Sequence, residues 1–108
     1  MIDLTLNETV VLLAILRLKD HAYGVAIREE VTKITNTTVT YCTLYSYLDQ
    51  LFRKGYLTKH YGKPTPERGG RRKIYHCLSP KGRQALIEAY EIQKTLIGEI
   101  GNWIIEST

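Results

Sequence analysis

TYCTLYSYLDQLFRKGYLTKHYGKPTPERGGRRKIYHCLSP, residues 40–80, carries a helix, a hairpin and the start of another helix, in that order. Leu44, Leu48 and Leu51 step by four and three, which puts them on one stripe of a helix over residues 41–54. Thr40 precedes this helix with a hydroxyl that accepts from an exposed first-turn amide, and Gly55 follows it as a C-terminal glycine. Residues 56–61 and 74–79 are rich in β-branched and aromatic side chains and read as short strands. Between them GKPTPERGGRRK, residues 62–73, holds two prolines and three glycines, which exclude a helix and mark a projecting hairpin loop. Ser79-Pro80 then opens the last helix, serine as its N-cap and proline at its first position.

Upstream, residues 4–19 read as a helix capped by Thr5 or Asn7, with Glu8 suited to the positive end of the dipole. Its run VVLLAIL is apolar on nearly every side, so neighbours must cover it all round, from within the domain or from a second subunit. A second helix spans residues 22–34, with Tyr23, Ile27, Val31 and Ile34 on one face and Arg28, Glu29 and Lys33 off it. The last helix extends over residues 80–106. Glu88, Glu91, Thr95, Glu99, Asn102 and Glu106 make one polar stripe, and almost everything else on it is apolar. So wide an apolar arc exceeds what a small domain covers, and the direct inference is a partner helix from a second copy.

The 108 residues fit one domain, with no internal repeat, and the 44% hydrophobic and 24% charged composition is that of a globular chain. The longest apolar run falls far short of a membrane span, and no secretory leader opens the chain, so a cytoplasmic protein without membrane association is expected. The net charge of +4 conceals an asymmetry: residues 51–83 hold ten of the fifteen basic residues and one acid, Glu67. A cluster of that kind is an electrostatic footprint for a polyanion.

Helices, a hairpin with a basic tip and a long final helix make a mainly α architecture with a small β-hairpin. This is a winged helix-turn-helix over residues 1–79 with a long C-terminal dimerisation helix over residues 80–108. In that layout the 41–54 helix enters the major groove of double-stranded DNA and the 62–73 wing lies along the backbone or minor groove. Thr43, Ser46, Tyr47, Gln50 and Arg53 bring hydroxyls, an amide and a guanidinium to the face opposite the leucines and are the expected recognition-helix contacts. Lys63, Arg68, Arg71, Arg72 and Lys73 are the expected wing contacts; five bases on a finger built of glycine and proline have few structural uses.

Tyr23-Gly24, Thr43-Leu44-Tyr45 with Leu48, Leu51 and Gly55-Tyr56-Leu57, PTPERGGRRK with Tyr75, and Leu78-Ser79-Pro80 with Gly82 together resemble the PadR family of bacterial transcriptional regulators, across about residues 8–90. The resemblance implies a cytoplasmic homodimer that represses from near-palindromic operators, its last helix pairing with its mate and with the first helix of the other subunit. On that pattern Val11, Ile15, Ala89, Ile92, Leu96, Ile100 and Trp103 are the expected dimer interface. The chain is similar to the short-tailed branch, some members of which bind flat aromatic compounds in a pore between subunits, against a tryptophan. The matching position is about Gln93, whereas the single tryptophan is Trp103, so a small-molecule effector is of unidentified chemistry here. His76 stands where the family usually has an aromatic.

Other residues carry competing readings. Tyr45, beside the leucine stripe, is expected to pack its ring, leaving its hydroxyl available to a phosphate. Cys42 opens the third helix, where the dipole favours a reactive thiolate, but free cysteines are among the most buried residues and a small buried filler is the better expectation. Gly98 and Gly101 permit close helix approach or merely weaken the helix end. His21, His60, His76 and the two cysteines lack metal-ligand spacing, and His60 and His76 fall on opposite faces of the hairpin. No metal and no cofactor are expected. There is no nucleophile–base set, no paired carboxylates and no phosphate-cradling loop before a helix, so an enzyme is not expected. The alternative is a winged-helix protein-interaction module without DNA binding, which would not need so basic a finger.

Overall fold

The computed structural model describes residues 3–62 and 73–107. Its elements run α1 (Leu6–Leu18), a 3₁₀ turn (Lys19–His21), α2 (Gly24–Thr35), α3 (Tyr41–Arg53), β1 (Leu57–Tyr61), β2 (Ile74–Leu78) and α4 (Pro80–Ser107). This is the mainly helical winged helix-turn-helix layout expected from the sequence.

Thr5, not Asn7, caps α1. Its hydroxyl accepts from the Glu8 amide at 3.2 Å while the Glu8 carboxylate accepts from the Thr5 amide at 2.9 Å, a reciprocal capping box. Asn7 instead donates to the Tyr47 hydroxyl on α3 at 2.9 Å. α2 begins two residues later than its apolar spacing suggests. The backbone just before it serves the hairpin: the Ala22 carbonyl accepts from the His76 amide at 2.8 Å, and Tyr23 forms a single antiparallel bridge with Tyr75. Asn36 ends α2 in the left-handed region (φ 56°), its amide donating to the Thr32 carbonyl at 2.7 Å.

Thr40 caps α3, accepting from the Thr43 amide at 3.1 Å, and Gly55 takes φ +82° just past its end. β1 and β2 pair antiparallel from Leu57 opposite Leu78 to Tyr61 opposite Ile74. This register places Lys59 beside His76 and His60 beside Tyr75, so the two histidines do lie on opposite faces. Ser79 caps α4, its hydroxyl accepting from the Gly82 amide at 3.0 Å. Gly82 packs so closely that a Cβ there would collide with the Tyr56 carbonyl oxygen.

The core gathers Leu12 and Ile15 of α1, Ile27 and Val31 of α2, and Leu44, Leu48 and Leu51 of α3 under Leu57 and Ala85. α4 joins it only through its first turns; Ala89 is its last buried residue, and the helix runs on to stretch the molecule to 60 × 27 × 21 Å. Among the described residues, no helix is long and apolar enough to cross a membrane.

Candidate nucleic-acid interface

Because the leucine stripe turns one side of α3 inward, the opposite side stands free. Cys42, Ser46, Asp49 and Arg53 form its exposed line, with Thr43 and Gln50 exposed beside it. Arg53 Nη2 lies 3.0 Å from Asp49 Oδ2, one turn back. The Thr43 hydroxyl accepts from that of Thr40 at 2.9 Å. Four of the five expected recognition-helix residues therefore share an open surface. Tyr47 does not join them. It is half-buried against the core, where its hydroxyl receives the Asn7 amide. Tyr45 is only partly packed: it is 51% exposed and its ring stacks on Tyr41 at 6.2 Å, while a Cβ on Gly24 would run into its hydroxyl.

Cys42 is exposed, which overturns the buried-filler expectation. The reason is helical phase: it lies four residues before Ser46, on the line that faces away from the leucines. Cys77 is half-buried, and among the described residues no group of three His, Cys, Asp or Glu side chains could hold a metal ion.

Between α3 and the hairpin runs an open cleft of about 790 Å³, lined by Tyr23, Val25, Tyr45, Lys59 and Lys73 with His76 at its wall. Lys73 Nζ lies 4.1 Å from the Tyr23 ring centroid and Lys59 Nζ 4.3 Å from that of Phe52. Aromatic faces thus hold two ammonium groups beside the exposed side of α3. His76 is buried, and its Nδ1 has no hydrogen-bond partner among the described residues. Burial, with the nearby charges of Lys59 and His60, lowers its pKa from 6.5 to about 4, so the ring is neutral at neutral pH.

Of the expected wing contacts only Lys73 can be placed; Lys63, Arg68, Arg71 and Arg72 lie outside the described residues. Lys59 and Tyr41, which stacks on Tyr45, are additions to the residues expected from the sequence. The signal for Lys59 is its place in the basic segment, on the strand leading into the wing.

The seven expected interface residues divide. Val11 and Ile15 are buried in the subunit's own core, and Ala89 is also covered. Leu13 and Leu16 form the exposed side of α1 instead. Ile92, Leu96, Ile100 and Trp103 are exposed along α4, together with Tyr90 and Ile97. Trp103, 68% exposed, donates its indole N–H to Glu99 at 3.1 Å. A Cβ at Gly98 or Gly101 would meet nothing, so within the subunit neither glycine is required by packing.

The model of the transcriptional regulator PadR-like family matches residues 12–88. No curated protein matches the sequence. A transcriptional regulator from Clostridium thermocellum is 26% identical with a TM-score of 0.66, over 86% of this chain and 87% of that one. A PadR-like transcription factor from Bacteroides fragilis is 25% identical with a TM-score of 0.71, over 90% and 87%. A PadR-like regulator from Bacillus cereus reaches a TM-score of 0.74 at 15% identity, over 92% and 90%, and speaks for the fold alone.

Proposed function

Because the chain belongs to the PadR-like family of transcriptional regulators, we propose that it acts as a homodimeric repressor that reads a near-palindromic operator with α3 and steadies itself on the DNA backbone with its wing. It is a regulator and not an enzyme. The observation that carries the reading is the open face of α3. Ser46, Gln50 and Arg53 stand exposed, and Asp49 on the same line borders the cleft that holds Lys59 and Lys73. Hydroxyl, amide and guanidinium groups match base edges, and the two lysines match phosphates.

Dimerisation is supported by α4. Tyr90, Ile92, Leu96, Ile97, Ile100 and Trp103 are all exposed beyond the last buried residue. Monomeric soluble proteins rarely leave a continuous apolar surface of that size in water. A symmetric pair through this helix would set two α3 helices against half-sites about 34–36 Å apart, one helical turn.

The test is a fluorescence-anisotropy titration onto duplex DNA from the chain's own upstream region, beside a scrambled duplex, at two salt concentrations, with an Arg71→Ala/Arg72→Ala variant in parallel. The expected result is salt-sensitive binding that prefers the native duplex and weakens in the variant. Equal binding to both duplexes would keep DNA binding and move the operator elsewhere. No binding by a folded dimer would favour the interaction-module reading.

A further inference from the structure

Asp49 is the only acid on α3, and it stands in the middle of the exposed line of that helix. Its side chain is 50% exposed, and it pairs with Arg53, itself 77% exposed. Asp49 borders the cleft that holds Lys59 and Lys73, and its ion pair gives the fold little. An exposed ion pair one turn apart stabilises a helix by a few tenths of a kcal/mol. Affinity has less use for it, because a carboxylate at the centre of a surface that meets DNA is repelled by every nearby phosphate. The cost falls on all sequences alike, so the compensating gain must come from particular ones.

We propose that Asp49 is a specificity-determining residue that accepts from the exocyclic amine of a cytosine and directs Arg53 at a neighbouring guanine. This rests on the reading that α3 enters the major groove. An ionised carboxylate only accepts. In the major groove the bases that donate are cytosine, through N4, and adenine, through N6; guanine and thymine present acceptors there. Adenine sets the N7 acceptor next to its amine, which faces the second carboxylate oxygen, whereas cytosine has no acceptor beside its amine. Cytosine is therefore the base that suits Asp49. Arg53 holds Asp49 through Nη2 and has further N–H groups free for the O6 and N7 of guanine. Four residues of helix rise about 6 Å, so the two contacts fall one or two base pairs apart.

The experiment selects bound duplexes from a pool with a randomised site, using the full chain and its Asp49→Ala and Asp49→Asn variants, with circular-dichroism melting to show that each is folded. The unsubstituted chain is expected to enrich a motif with a cytosine close to a guanine in each half-site. Asp49→Ala should lose about tenfold discrimination at the cytosine and weaken the preference for the neighbouring guanine that Arg53 reads, while binding unrelated duplexes more tightly. Asp49→Asn should move the preference there toward adenine, which an amide reads bidentately. An unaltered motif in Asp49→Ala, or a parent motif with no informative cytosine, overturns the inference and leaves DNA reading by α3 intact. If the unsubstituted chain enriches no duplex, the DNA-binding reading fails and the inference falls with it.

Discussion

Lys54, the residue that closes α3, donates from Nζ to both carboxylate oxygens of Glu8 near the start of α1, at 3.0 and 2.9 Å. Glu8 is 1% exposed, so the pair locks the end of α3 to the first helix from inside the fold. Removing the amine leaves a buried carboxylate held only by the Thr5 cap. Lys54→Met should therefore cost about 3 kcal/mol, the lower end for breaking a buried pair, read as a fall in the urea midpoint.

The same pair sets a pH window. Burial opposes the Glu8 charge, but hydrogen bonds from Lys54 and Thr5 and the Lys54 charge outweigh it, and the pKa falls below its ordinary 4.5. Burial likewise opposes the Lys54 charge, and Glu8 and Asp3 outweigh it, raising its pKa above 10.5. The stabilisation from Glu8 is present above its unfolded pKa and lost as pH falls through the lower folded one. That from Lys54 is present below its unfolded pKa and lost as pH rises through the higher folded one. Urea unfolding of Lys54→Met should show a shallower loss of stability on both sides of this window than the parent.

His76 acts in a different range. Its folded pKa of about 4 lies below the ordinary 6.5, so the unfolded chain binds more protons between those values and stability falls as pH drops through them. The full loss is about 3 kcal/mol. His76→Phe removes the titration and the unpaired Nδ1, and its urea midpoint should be nearly flat from about pH 7 to 5, where the parent's declines.

Gly82 offers a test of packing against propensity. Inside a helix, alanine in place of glycine ordinarily gains up to about 1 kcal/mol. Here the added methyl would strike the Tyr56 carbonyl, so Gly82→Ala should destabilise by about 2 kcal/mol instead. Thermal melting decides the sign.

On the DNA side, Lys59→Ala and Lys73→Ala should each reduce the slope of log affinity against log salt by about 1, the share of a single neutralised phosphate. Tyr47→Phe removes the exposed bond to Asn7 and should leave that slope unchanged, while lowering stability by about 0.5 kcal/mol. Anisotropy titrations over a salt series separate the two outcomes.

For the dimer, Leu96→Glu with Ile100→Glu puts charges on the exposed face of α4 and should give a folded monomer by sedimentation. Val11→Ala, by contrast, opens the subunit's own core and should lower its stability by about 2 kcal/mol without changing its mass in solution.

The parts of the fold that can be read from sequence are those decided locally. The leucine spacing, Thr40 and Gly55 define α3, and Ser79-Pro80 defines the start of α4, because caps and periodicity act within a turn or two of chain. Tyr47 is legible in the same way: three residues after Leu44 and four before Leu51, it falls on the flank of the buried stripe, where it packs against the core. Only its bond to Asn7, 40 residues away, lies beyond local spacing. α1 is ambiguous: VVLLAIL is apolar all round and carries no phase, so nothing local tells Val11 and Ile15, which point inward, from Leu13 and Leu16, which do not. Cys42 is legible in principle, since its step of four to Ser46 indicates exposure more directly than the burial habit of cysteine indicates the reverse.

The core of the subunit closes by Ala89, and the apolar length of α4 begins only after it. On the dimeric reading, folding of the core and pairing through α4 then draw on different residues. Operator occupancy follows the square of the concentration of free copies while pairing is incomplete. Where most copies are unpaired, halving the amount of protein would leave about a quarter of the pairs, so dilution during cell growth would release the operator more steeply than in proportion.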